Sequence, residues 1–299
     1  MLKVKDVAHC PCESGKAPKE CCLTPDGKLR PKPVLIRTIG LKTGYQNPKC
    51  YAADLSDCSK EMSGEHYISH GVLKLLSRNG NVEVDGFPWQ QKGNWKKVPS
   101  KKLTSNILCC RHNSALSPLD SIAIRFLENV EKIDSAILSE KENDLSNIYL
   151  FNGFDIERWM LKTVCGVIYS GNASMNQKVI SWKPPSHWLP ILFDNEPFLA
   201  QTGMHFAGRI NVEEQNKKEF EFTPLTNNES IVDGAKIKLK YFRFILAMTP
   251  TDENSHAIFS GSTFRPSEFI INGEKSKHAI FIWWDQPGDQ KSVEIRYNL

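Results

Sequence analysis

No stretch of this 299-residue chain approaches the roughly 18 continuous apolar residues that a membrane span needs, so no membrane association is expected. The opening MLKVKDVAHC carries charge but no apolar core of a secretory leader, which makes the cytoplasm the expected location. Glycine and proline are modest, at 18 and 17, and no internal repeat is present, so neither a fibrous nor a solenoid architecture is indicated. From residue 180 onward there is no Gly-rich phosphate loop, no Walker pattern and no Ser-His-Asp set. His187, His205, His256 and His278 are scattered there without metal-ligand spacing.

What the chain does have is cysteine. Nine would be many for disulfides in a reducing compartment, so their spacing has to decide between cross-links and metal ligation. Cys10, Cys12, Cys21 and Cys22 fall in CPCESGKAPKECC. Two thiolates one residue apart and two adjacent ones, joined by a turn with Ser14, Gly15 and Pro18, can close a tetrahedral site around one zinc. The run resembles the SEC-C zinc motif, C-x-C-x8-C-C with an interior Ser-Gly-Lys, here Ser14-Gly15-Lys16. That resemblance implies a knuckle over residues 1–30 that docks proteins or nucleic acid and does no catalysis.

A second set lies further on. Cys50 and Cys58 bracket a turn rich in Asp and Ser, and Cys109 with His112 form C-x2-H, giving four more zinc ligands in two pairs. Cys110 is an alternative to Cys109. Inside this frame sit Glu65-His66, Asn106 and Asn113, in EHYIS and NILCCRHNSALSPLD. These residues resemble the HNH endonucleases of the ββα-metal class over about residues 47 to 135. The resemblance implies a module over 47–138 that hydrolyses DNA phosphodiester bonds. In it His66 would be the general base, Glu65 and Asn113 would hold a catalytic Mg2+ or Mn2+, and Asn106 would tie down the loop carrying the base. A neutral imidazole suits the first role, and a carboxylate beside an amide suits the second. This chain departs from the family in having Asn113 where most members have His, Ser69 where most have proline, and an insertion at residues 71–105. EHYIS, the LCCRHN segment and the later ERWMLK also resemble bacterial HNH-like proteins of unassigned function, some of whose relatives serve antiphage defence. The same residues fit an alternative: a non-catalytic zinc protein that binds nucleic acid or another protein.

Charge separates along the chain. Residues 1–113 hold 19 Lys plus Arg against 10 Asp plus Glu, whereas residues 114–299 hold 19 against 24. A basic half carrying Lys92, Lys96, Lys97, Lys101 and Lys102 between Trp89 and Trp95 points to DNA as the partner. The fold class expected is α+β. NVEVDGFPWQ alternates and turns at Asp85-Gly86, a hairpin. Ser117 and Pro118 mark a helix start, with Ile122, Phe126, Val130 and Ile133 on one face. The polar run 139–147 reads as a linker. After it, a C-terminal unit over 148–299 pairs a helix striped with Ile156, Trp159, Met160, Thr163, Val164, Val167 and Ile168 with an antiparallel sheet for recognition or regulation. Cys165 within that stripe reads as core packing.

Overall fold

The computed structural model describes residues 9–89, 93–139, 147–175, 178–207, 219–226, 231–250 and 259–297. Lys92, His256 and most of the 139–147 linker lie outside the described residues. The mixed α+β class is as expected. Elements in chain order are β1 (Met62–His66), α1 (His70–Leu75), β2 (Asn81–Asp85), β3 (Lys96–Pro99), β4 (Thr104–Cys109), α2 (Cys110–Leu138), β5 (Ile148–Asn152) and α3 (Gly153–Tyr169). They continue with β6 (Ala173–Met175), β7 (Lys178–Ile180), α4 (Leu189–Phe193), β8 (Gly203–Phe206), β9 (Glu219–Thr226), β10 (Val232–Leu239) and β11 (Phe242–Ala247). Last come β12 (Thr263–Phe264), β13 (Glu268–Asn272), β14 (Lys277–Trp283) and β15 (Ser292–Arg296).

Among the described residues, β1 and β4 form an antiparallel pair, and α2 follows β4 directly. α2 starts seven residues before Ser117, at Cys110, with Cys109 in extended conformation at its N-cap. Ser117-Pro118 is therefore an interior feature. Proline has no N–H to give to the Ser114 carbonyl, and the Ser117 hydroxyl donates to that carbonyl instead at 2.9 Å. The helix survives its proline because the orphaned acceptor is satisfied one residue earlier.

Two larger sheets flank the helices, in the orders β12-β8-β11-β10-β9-β2-β3 and β15-β13-β14-β5. They are mixed and not purely antiparallel: β2 runs parallel to β9, β13 to β15 and β14 to β5. Each parallel pair joins strands distant in sequence, which local alternation does not encode. The hairpin of the 71–105 segment forms as β2 and β3, but Val84 pairs with Lys96, so a long connection replaces a tight turn at Asp85-Gly86. Gly86, at φ +92°, serves a close approach: a Cβ there would lie 1.9 Å from the Phe222 carbonyl oxygen. The run KIKLKYFRFILAM folds as two strands turning at Lys240-Tyr241, with Leu239 opposite Phe242. Lys240 takes φ +52° there and gives its ammonium to Glu131, at 2.7 Å, and to Asp134 of α2.

Residues of 47–138 and 148–299 share one continuous buried core. Phe126 of α2 meets Phe151 of β5, Phe242 and Phe244 of β11, and Phe269 of β13 edge-on, at centroid distances of 5.2 to 6.4 Å. α3 is buried on every side, beyond its apolar stripe, and its charges are each matched within the protein. Asp155 accepts from the Val34 amide and pairs with Arg158, Glu157 pairs with Arg265 at 2.8 Å, and Lys162 pairs with Glu65 at 2.9 Å. Asn152 caps this helix by accepting from the Phe154 amide at 3.0 Å. No helix among the described residues is long and apolar enough to cross a membrane.

Candidate metal centres and the Glu65–His66 site

The thiols of Cys10, Cys12, Cys21 and Cys22 all lie within 4.8 Å of one another, a group able to hold a metal ion. Tight turns bring them together: the Cys10 amide donates to the Lys16 carbonyl at 2.8 Å, and a short helical turn over Pro18–Glu20 returns the chain to Cys21. The Ser14 hydroxyl points at the Cys21 sulfur, 3.1 Å away. Burial opposes ionisation of Cys12, but the Ser14 hydroxyl and the thiols of Cys10 and Cys21 hold its pKa down to about 7. The knuckle is anchored on the body of the protein. The Leu150 amide donates to the Pro11 carbonyl at 2.9 Å, Arg125 to the Cys12 carbonyl at 2.8 Å, and Lys132 to Glu13 at 2.9 Å. A cleft of about 370 Å³ lies between knuckle and body, with Lys16, Lys32, Arg125 and Asp155 among its lining residues.

Cys50, Cys58, Cys109 and His112 form the second group, and all four are buried. His112 Nδ1 faces the sulfurs of Cys109, Cys50 and Cys58 at 3.3, 3.5 and 3.7 Å. A tetrahedral ion with bonds of about 2.0 to 2.3 Å requires ligand atoms about 3.4 to 3.8 Å apart. These residues fit one. Burial pushes the His112 pKa down to about 4, so the ring is neutral and has a lone pair to offer. Burial would raise the Cys109 thiol, yet the backbone amides of His112 and Ser59 hold it below its ordinary value. The group takes in Cys109 and not its neighbour: Cys110 lies outside it, its amide donating to the Glu61 carbonyl at 3.0 Å. The C-x2-H spacing works because Cys109 ends a strand and His112 occupies the first turn of α2.

That junction also sets the site next to it. Glu65, on β1, is buried, and the Asn113 amide lies beside both its carboxylate and the Ser63 hydroxyl, donating to the latter at 2.8 Å. His66 follows on the same strand, its ring stacked on His70 at a centroid distance of 4.3 Å and an interplanar angle of 12°. Its Nε2 is buried and has no hydrogen-bond partner. Burial and the neighbouring His70 lower the His66 pKa, leaving a neutral base near pH 7. Glu65 and Asn113 thus lie together, and His66 is within electrostatic reach of the Asp120 and Lys162 that also face Glu65. Asn106 is exposed on β4 and makes no side-chain hydrogen bond among the described residues.

Three further groups belong here that the helical stripe does not mark. Lys162 of α3, only 5% exposed, sends its ammonium between Glu65 at 2.9 Å and both oxygens of Asp120 at 2.7 and 2.8 Å. Ser69 donates to Asp120 and accepts from the Trp159 indole at 2.8 Å. Burial disfavours charge on both partners; it raises the Glu65 pKa, while the two carboxylates outweigh it at Lys162 and raise that group too. The cation at these carboxylates is therefore an ammonium. Glu65 and Asn113 do not form an open set of oxygen ligands for a divalent ion. One sequence signal could have pointed to Lys162: it is a charged residue three positions after Trp159 within a buried stripe.

The basic cluster is divided. Lys96, Lys97, Lys101 and Lys102 are exposed, but Lys97 lies 3.5 Å from Glu83. Trp89 stacks on Phe87, while Trp95 is half-buried with Lys238 over its ring. No protein-family model, curated protein or solved structure matches this chain.

Proposed function

We propose that this protein is an HNH-type endonuclease hydrolysing DNA phosphodiester bonds, with each of the two cysteine groups holding a structural zinc. The supporting observation is the buried, unpartnered Nε2 of His66, which follows Glu65 on β1 and lies near Asp120 and Lys162, next to a junction framed by Cys50, Cys58, Cys109 and His112. Zinc fits both groups because soft thiolates and a neutral imidazole at tetrahedral spacing suit it better than harder ions. In this reading His66 Nε2 takes a proton from the attacking water. The Mg2+ or Mn2+ that the HNH resemblance implies finds no open site at Glu65, which Lys162 engages at 2.9 Å.

The Lys162 bridge favours a second reading, a zinc-stabilised protein that binds nucleic acid without cutting it, in which Glu65 and Asp120 serve to seat α3. Plasmid nicking by purified protein, with Mg2+, with Mn2+ and with chelator, separates the two. Under the nuclease reading His66→Ala lowers the rate by about 10² to 10⁴ while zinc content and thermal stability stay unchanged. The wild-type rate should rise with pH through a midpoint below the usual histidine value of 6.5, because burial and His70 disfavour the protonated ring. Equal rates for wild type and His66→Ala, or no cleavage under any condition, would leave the binding protein as the better account.

A further inference from the structure

Residues 38–43 form a built loop. Asp57 closes its base, accepting from the Thr38 hydroxyl at 2.7 Å and the Thr43 amide at 2.9 Å. Arg111, the residue before His112, fills its interior: the guanidinium donates to the carbonyls of Ile39, Gly40 and Leu41, the last at 3.0 Å, and pairs with Asp57 at 3.0 Å. Gly40, at φ +82°, lets the chain reverse so that consecutive carbonyls face this one guanidinium. The loop's backbone polar groups thus turn inward. Its aliphatic side chains turn outward: Ile39 is 86% and Leu41 93% exposed. A loop held by this many hydrogen bonds has no folding need to present two large aliphatics to water, since each would gain by burial.

The charge around the tip identifies what covers it. Arg37 and Lys42 flank it and are exposed. From residue 27 to residue 53 the chain has six Lys or Arg and no Asp or Glu, and Asp57 is buried and neutralised by Arg111. Two aliphatic side chains on a rigid tip between cations match the minor groove of duplex DNA. There apolar wedges enter between base steps while cationic side chains neutralise the adjacent phosphates. We infer that the 38–43 loop is a DNA wedge, Ile39 and Leu41 partly unstacking a base step and Arg37 and Lys42 contacting phosphate. The choice of DNA as partner rests on the proposed function; the wedge itself does not require cleavage. Because Arg111 precedes the metal ligand His112, the cysteine group that orders the start of α2 also holds the wedge in shape.

The test is binding of the full-length protein to a 20-base-pair duplex carrying end labels, read by anisotropy for affinity across salt and by energy transfer for bending. Ile39→Ser with Leu41→Ser should weaken binding about tenfold, abolish the bend and leave the salt slope unchanged, because only apolar contact is lost. Arg37→Ala with Lys42→Ala should flatten the slope by about two, close to one per phosphate contact. Unchanged affinity and bending in the serine variant would overturn the wedge. So would wild type failing to bind the duplex at 50 mM salt, or the serine variant losing affinity for phosphatidylglycerol vesicles and not for DNA. Two outcomes keep the two proposals apart. A duplex that is bent but never cut by wild type removes the nuclease and leaves the wedge, whereas normal cutting by the serine variant at unchanged affinity does the reverse.

Discussion

Cys109→Ser should release one of two metal ions per chain and unfold the unit made by β1, β4 and the start of α2. The side chain is buried among Cys50, Cys58 and His112, and a serine hydroxyl is a poor substitute for a thiolate. A structural zinc of this type contributes on the order of 10 kcal/mol at neutral pH, comparable with the whole net stability of a domain. Elemental analysis should give two zinc per chain for wild type and one for the variant, with the far-ultraviolet dichroism of the variant visibly reduced. Cys110→Ser is the matched control and should retain both ions, since its thiol belongs to neither group. Two ions in Cys109→Ser, or none in wild type, would remove the second site.

Lys162→Met should be nearly as damaging, by a different route. Methionine keeps most of the stem but deletes the ammonium, leaving the carboxylates of Glu65 and Asp120 facing the same volume without a cation. Removing one partner from a buried ion cluster costs about 3 to 5 kcal/mol. The pH dependence gives the charge mechanism its signature. In wild type the raised Lys162 pKa means that its stabilisation is complete below the ordinary lysine value of 10.5 and fades as pH rises through the higher folded value. In the variant one carboxyl will hold its proton in the folded state more tightly than in the unfolded chain. The stability deficit should therefore shrink as pH falls from 7 toward 5 and grow as it rises. Denaturant midpoints across pH measure this, and a deficit independent of pH would mean that packing, and not charge, is what Lys162 supplies.

The parts of the protein legible in sequence are those whose chemistry is local. Cys10, Cys12, Cys21 and Cys22 fall within thirteen residues, and C-x2-H marks a strand-to-helix junction, so ligand spacing alone brings out both groups. The choice between Cys109 and Cys110 is resolved only by tertiary packing, which sets Cys109 beside the distant Cys50 and Cys58. The 153–169 helix announces itself through periodicity, with the whole Ile156-to-Ile168 stripe lying inside it. What the sequence concealed is long-range. Lys162 meets Asp120 across 42 residues, and β5 pairs with β14 across the whole C-terminal half. The start of α2 was hidden by Pro118, a strong local signal overridden by the Ser117 hydroxyl. The KIKLKYFRFILAM hairpin lacks Gly or Asn at its turn because ion pairs from Lys240 to α2 take over the work of a turn residue.

The matched charges of α3 have a consequence for inheritance and engineering. Asp155 is tied to the segment after the knuckle, Glu157 to the sheet at the far end of the chain, and Lys162 to the residues beside the second cysteine group. One helix thus carries a separate electrostatic key for each of three regions. A chain cut before residue 148 would strand Glu65 and Asp120 without their cation, and one begun there would strand Lys162 without its anions. The 47–138 segment cannot be traded between proteins as an independent cassette. It has to travel with the partner helix that neutralises it.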